Sequence, residues 1–339
     1  MRRIGSNTRF CRRDFIKITA MAGSVLVGSK LLIDLIKDEF ATVEETRLLM
    51  GTIINLTVMA ESRAAGEAAV AATFAELERQ IAIFNHRMAH SPVAQLNKGS
   101  KLAKPPRELV EVLEMAQSIS DLTNGAFDVT VKPLVDLYQT AQPGLPTEKA
   151  IRTALARVDY RKLYVSSETV SLAEPGMAIT LDGIAKGYIV DAGVAYLRML
   201  GYENVFLEAG GDLMASGMKE DGSSWHVGVQ SPRQTCNGLL AIFGVKDQAV
   251  ATSGDYLQHF SRDMRHHHIL DPRSGCSAPY LASATVFAPS CAQADALATA
   301  LMAMNPEDGL AMMDNNEYID ALLIGKDLEE HRSSGLKDM

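Results

Sequence analysis

The chain has 339 residues, 47% of them hydrophobic and 22% charged, with a formal net charge of −8. That length supports one large or two ordinary cored domains, and the acidic balance argues against a nucleic-acid surface. The four cysteines (Cys11, Cys236, Cys276, Cys291) show no CxxC spacing, so no zinc knuckle or disulfide framework is indicated, and one disulfide after export stays open.

The N-terminus reads as an export segment. Arg2, Arg3, Arg9, Arg12, Arg13 and Lys17 face one acid, Asp14, and the uncharged run Ile18 to Ser29 follows. That run is shorter than the ~20 residues of a spanning helix, so it fits a signal h-region. "CRRDFIK" (Cys11 to Lys17) resembles a twin-arginine signal, with Cys11 where Ser or Thr is usual. The implied destination is the periplasm; a basic start to a surface helix is the plain alternative. No small-x-small cleavage site is evident, so an uncleaved inner-membrane anchor also stays open. The segment is set at residues 1–45 and one domain at residues 46–335.

Beyond it, short β-rich runs alternate with amphipathic helices. "MGTIINLTVMA" is predicted as the opening strand and Gly66 to Asn85 as a long helix. "RELVEVLEMAQSISDLTNG" predicts a helix closed by Asn124-Gly125. "KLYVSSETVSLA" predicts a hairpin turning near Ser167-Glu168. "DGIAKGYIVDAGVAYLRMLG" predicts a loop and then a helix ending at Gly201. Strand-like runs follow in "NVFLEAGGDLMASG", "WHVGVQSP", "GLLAIFGVKDQAVATSG" and "ASATVFAPS". Helices "QADALATALMAMN" and "PEDGLAMMD" then lead to a last strand, "YIDALLIG". Hairpins interleaved with helices predict an α+β fold with mainly antiparallel sheets rather than a doubly wound one.

Four segments are candidates for chemistry. In "AQADALATALMAMN", Asp295 and Thr299 lie four apart and stack on one helix face. A carboxylate and a hydroxyl are hard oxygen ligands of the kind Mg²⁺ accepts beside water and phosphate; an ordinary helix start would carry the same pair. In "LDGIAKGYIVD", Gly183 and Gly187 bracket Lys186 just before a helix, a place where backbone approaches phosphate closely. It is not a P-loop, and a structural loop with a surface lysine fits equally. "EAGGDLMASG" does not match GxGxxG and reads as a turn between strands. In "RHHHILDPRSG", alternation of an extended chain lets His266 and His268 share a face that His267 cannot join, which disfavours a three-histidine metal tripod.

Taken in order, "SPVAQLN", "GAFDVTVKPLV", "LDGIAKGYIVD", "LEAGGDLMASG", "WHVGVQSP", "ATSGDY", "HHILDPRSG" and "ADALATALM" resemble the FAD:protein FMN transferase (ApbE) family. The resemblance runs from Met50 nearly to the end of the chain. It implies two α+β subdomains with FAD between them, and Mg²⁺-dependent transfer of FMN from FAD to a threonine or serine of an acceptor protein, releasing AMP. By position it implies Asp295, Thr299 and the Gly183 carbonyl as Mg²⁺ ligands. FAD contacts are implied at Met50, Ala126, Phe127, Asp128, Lys186 and the backbone at Ile269 or Leu270. His268 corresponds to the family's base candidate, with His266 and His267 as solvated neighbours. The family often has Asp-Leu-Gly or Asp-Leu-Ser where this chain has Thr180-Leu181-Asp182, so the adenine-side acid is displaced to Asp182. Some members also carry an acid where Ala298 stands here. Exported flavoproteins and membrane redox subunits are both allowed acceptors. An FAD pyrophosphatase and a non-catalytic FAD carrier are the rival readings.

Overall fold

The structure, a computed structural model, describes residues 41–142, 144–233 and 238–337. The basic leader, its apolar run, Cys11 and Cys236 lie outside the described residues. Of the described cysteines, Cys276 is exposed and Cys291 buried, both as free thiols. No described helix is long and apolar enough to cross a membrane.

The chain opens with a hairpin, β1 (Ala41–Leu49) and β2 (Thr52–Ala60). β1 was not expected, and it straddles the domain start set at residue 46. Met50 and Gly51 make its turn, both at positive φ (54° and 74°). Helix α1 (Arg63–Phe84) follows, capped by the Ser62 hydroxyl. α2 (Pro92–Gly99), β3 (Lys101–Ala103), α3 (Arg107–Leu122), α4 (Lys132–Thr140), α5 (Glu148–Leu155), β4 (Leu163–Val165) and β5 (Thr169–Leu172) build a smaller body around a three-stranded sheet. After α6 (Ala185–Met199) come β6 (Val205–Ala209), β7 (Asp212–Ser216), β8 (Trp225–Gln230), β9 (Leu239–Val245), β10 (Gln248–Gly254) and β11 (Leu281–Ala288). α7 (Cys291–Ala303), α8 (Pro306–Asp314), β12 (Asp320–Gly325) and β13 (Glu330–Arg332) complete the chain.

The larger body is an eight-stranded sheet in the order β1-β2-β6-β7-β10-β11-β12-β13, each neighbouring pair antiparallel. α1, α6 and α7 cover one face. The β8–β9 hairpin covers the other, through Trp225, Phe243 and Phe287. α7 is apolar on nearly every side and is buried along most of its length, which is the composition of a central helix. Its Leu297 and Leu301 are almost wholly buried, each contributing roughly 1.5–3 kcal/mol. One main core joins Val93, Leu96, Leu109 and Val170 of the smaller body to Leu56, Leu207, Ala284 and Leu297 of the larger. The two bodies are therefore cored together.

Candidate active site

The site begins where α6 meets α7. A Cβ on Gly187 would run into the backbone of Cys291 and Ala292, so only glycine lets the two helices meet this closely. Three hydrogen bonds lock the contact. The Asp191 carboxylate accepts the N–H groups of Cys291 (2.8 Å) and Ala292 (2.9 Å) at the start of α7. The Gly187 N–H donates to Oδ2 of Asp295 at 3.2 Å.

Around Asp295 gather the groups read from the sequence. Thr299 lies one turn further along α7, and its hydroxyl is 3.2 Å from that of Ser253 on β10. A Cβ on Gly183 would stand 3.0 Å from the Thr299 hydroxyl oxygen and 3.4 Å from the Phe127 ring, so loop, helix and ring converge on one spot. Lys186 forms an ion pair of 2.7 Å with Asp212, whose side chain is 1% exposed. Burial, then Asp212, pushes the Asp295 carboxyl well above the usual range, with Lys186 opposing. Burial likewise raises Asp212 against the pull of Lys186. Burial works against charge on Lys186, but Asp212 and Asp295 outweigh it and hold the ammonium above its ordinary pKa.

These residues fit a magnesium ion. Asp295 carries an ionisation cost from burial and a neighbouring acid that a divalent cation would relieve. The carboxylate, the Thr299 hydroxyl and the Gly183 peptide are a hard oxygen set with room left for water or phosphate oxygens. Among the described residues no three His, Cys, Asp or Glu side chains gather to hold a metal. An ion here would lean on an alcohol and a carbonyl.

His268 lies in the segment between β10 and β11. Its backbone N–H donates to the Gln258 carbonyl at 3.0 Å, and its Nδ1 lies 3.0 Å from the same oxygen. A carbonyl only accepts, so Nδ1 carries the proton and Nε2 keeps its lone pair. Burial lowers the pKa of this ring, with Asp182 and Asp255 opposing. His267 corrects the expectation of solvated neighbours: it is fully buried, its N–H on Ser277 and its Nε2 on the Ala278 carbonyl at 2.9 Å. Its backbone pairs with His259 in a small antiparallel bridge. His266 is half-buried.

The remaining candidates are spread more widely. Asp182 is half-exposed, 3.8 Å from the His86 ring and 4.0 Å from the Arg87 guanidinium. Asp128 is buried and engaged by its own chain: Oδ1 takes the N–H and hydroxyl of Thr130, and Oδ2 the N–H of Tyr160. It braces the segment that presents Ala126 and Phe127, both buried in the main core. Met50 packs on that core from the first hairpin turn. The Ile269 carbonyl is taken by the Ala278 N–H at 3.0 Å. Gly183 thus lies against Thr299 and Phe127, and Asp295, one turn before Thr299 on α7, is tied to the same loop through the Gly187 N–H, while Met50 and Ile269 sit on separate segments. Asp191, Asp212 and Ser253 were missed. The signal in "GGDLMAS" was an acid at the head of an apolar run, and only burial shows its meaning.

The chain and its fold are similar to known proteins. The ApbE family model matches residues 50–323. A protein of Vibrio cholerae named FAD:protein FMN transferase is 34% identical over 68% of this chain and 71% of its own length. One of the same name from Treponema pallidum is 31% identical over 86% of each chain. The solved "Flavin Transferase ApbE from Vibrio cholerae" superposes with a TM-score of 0.77 at 30% identity, covering 87% of this chain and 98% of that one. The ApbE protein of Thermotoga maritima gives 0.78 at 29% identity, covering 87% and 97%. With the family match spanning most of its length and a solved relative sharing its fold, the chain belongs to the ApbE family.

Proposed function

We propose that this protein is an FAD:protein FMN transferase that moves FMN from FAD to a threonine or serine hydroxyl of an acceptor protein and releases AMP. The observation that carries the reading is the corner made by Asp295, Thr299 and Gly183, with Lys186 anchored on Asp212 beside it. Asp295, Thr299 and the Gly183 carbonyl would hold Mg²⁺, which supplies charge neutralisation at the diphosphate when bound. Lys186 is kept protonated by two acids and offers its charge to the same phosphates. Asp182, displaced by two positions from the family's usual acid, takes the adenine side. Phe127 and Ala126 stand for the flavin side, and the family resemblance adds Met50 and the Ile269 backbone as further FAD contacts.

His268 supplies the base. Its Nε2 takes the proton of the acceptor hydroxyl, whose oxygen forms a new bond to the FMN-side phosphorus. The anhydride P–O bond breaks, and AMP leaves with that electron pair. General-base help of this kind contributes roughly 10²–10⁴-fold. Export fits the same reading: the twin-arginine-like "CRRDFIK" directs the enzyme to the periplasm, free or anchored by an uncleaved leader, where exported flavoproteins or membrane redox subunits are its acceptors.

The test is incubation with FAD, Mg²⁺ and candidate acceptors. Transfer leaves flavin fluorescence on an acceptor band in a denaturing gel. Free FMN and AMP without a labelled band would make the protein a pyrophosphatase, and unchanged FAD would make it a carrier.

A further inference from the structure

Under the His268 segment lies a knot of charge that the transfer chemistry leaves unused. Asp255, directly after β10, is fully buried. Its two oxygens take both terminal nitrogens of the Arg233 guanidinium at 2.7 Å each. The Lys326 ammonium, just beyond β12, reaches the same carboxylate at 3.1 Å and the Met264 carbonyl at 3.1 Å. The Asp255 N–H is bound to the Ala282 carbonyl, and the Lys326 N–H to that of Tyr280. The segment that bears His268 is therefore held at its start by Arg233 and Lys326, at its middle by Lys326, and at its end by the Lys326 backbone. Gln258, whose carbonyl sets the His268 tautomer, stands three residues after Asp255.

Stability alone does not account for this arrangement, because well-packed apolar groups often serve as well as a buried ion cluster. Directionality does. The guanidinium fork meets the carboxylate in one plane and fixes its orientation, and a lysine bridging two sites along one loop fixes their separation.

We propose that Asp255, Arg233 and Lys326 are positioning residues that set the reach of His268 Nε2 toward the acceptor hydroxyl. The proposal rests on His268 being the base. Lys326→Met and Arg233→Lys are compared with wild type and Lys326→Arg for kcat of transfer, FAD binding and thermal melting. Both variants should lose about 10- to 100-fold in kcat, the scale of a misplaced reacting group. FAD affinity should change less than about twofold in both, and Lys326→Arg should recover most of the rate, since positioning rather than binding is altered. Arg233→Lys keeps the charge and removes only the fork, so it also serves if Lys326→Met folds poorly.

The deciding experiment places Lys326→Met on a His268→Ala background. Once the base is gone, its misplacement costs nothing, so the double variant should turn over at the His268→Ala rate. Full kcat in both single variants, or the whole Lys326→Met loss recurring on top of His268→Ala, would overturn the proposal. If His268→Ala alone kept full turnover, the base assignment would fail first and take the positioning role with it.

Discussion

Burial lowers the basicity of both His267 and His268, with different consequences for each. A base works in its neutral form, so a lowered pKa keeps His268 competent further into acid. The acid limb of kcat/KM for transfer should therefore fall below pH ~6.5, the ordinary imidazole value. His268→Ala should slow transfer by about 10²–10⁴-fold with FAD affinity retained; equal loss of rate and binding would remove the base role. For His267 the readout is stability. Its pKa is pushed down to about 4, first by burial, with the Ala278 carbonyl opposing. Between pH ~6.5 and 4 the unfolded chain binds this proton and the folded one does not, so stability present above 6.5 is lost on acidification. The loss should reach roughly 2 kcal/mol by pH 5. His267→Gln should accordingly lose less melting temperature than wild type between pH 7 and pH 5. Asp128 and Asp191, both raised to about 6 chiefly by burial, act with the opposite sign and cancel in that comparison. Alternation puts His267 and His268 on opposite faces, but the burial of His267 goes with its bonds to Ser277 and Ala278, tertiary contacts no local pattern encodes.

At the level of elements, α7 was legible because Asp295 and Thr299 fall at helical spacing in an alanine- and leucine-rich run. β1 was not, because "ATVEETRLL" mixes charge into its alternation and reads as surface chain. The short helices α2, α4 and α5 are too brief for a periodic signal, although Ser91-Pro92, Lys132-Pro133 and Thr147-Glu148 mark their starts. The contact between α6 and α7 was invisible for a different reason: it depends on Asp191, a residue of one helix acting on the N-terminus of another. That joint predicts a separation of effects. Asp191→Ala removes two bonds at the start of α7 and should cost about 1–2 kcal/mol of stability. It should also weaken Mg²⁺ binding by about 10- to 100-fold, as loss of a support behind a metal ligand does. Ser290→Ala removes the ordinary cap of the same helix, the bond from Gln293 N–H. It should cost about 1 kcal/mol and leave Mg²⁺ affinity unchanged. Thermal melts and Mg²⁺ titrations by calorimetry on both variants decide this; equal weakening in both would mean that the helix tolerates no loosening anywhere.

Across the whole molecule, the order of eight motifs disclosed the family and its antiparallel α+β fold, while the depth of the shared core and the charge balance of the site required the structure. Asp295 and Asp212 act on one lysine, Lys186, and Asp182 adds its charge to the field on Asp295. FAD brings a further anionic diphosphate to that acid excess. Either ligand alone meets an unfavourable field, FAD for want of a counter-cation and Mg²⁺ for want of phosphate oxygens in its shell. Their binding should therefore be coupled, each tightening the other by the same factor, with coupling on the order of 1–3 kcal/mol. A ligand that binds only the folded chain adds about 2.7 kcal/mol of stability at one hundred times its Kd. Melting with FAD, with Mg²⁺ and with both should thus show a combined shift larger than the sum of the separate ones. Asp295→Asn should reduce the combined shift to that sum, because the carboxylate that links metal to phosphate is gone. Simple additivity in the wild-type protein would place the two ligands apart and separate the acidic corner from the dinucleotide.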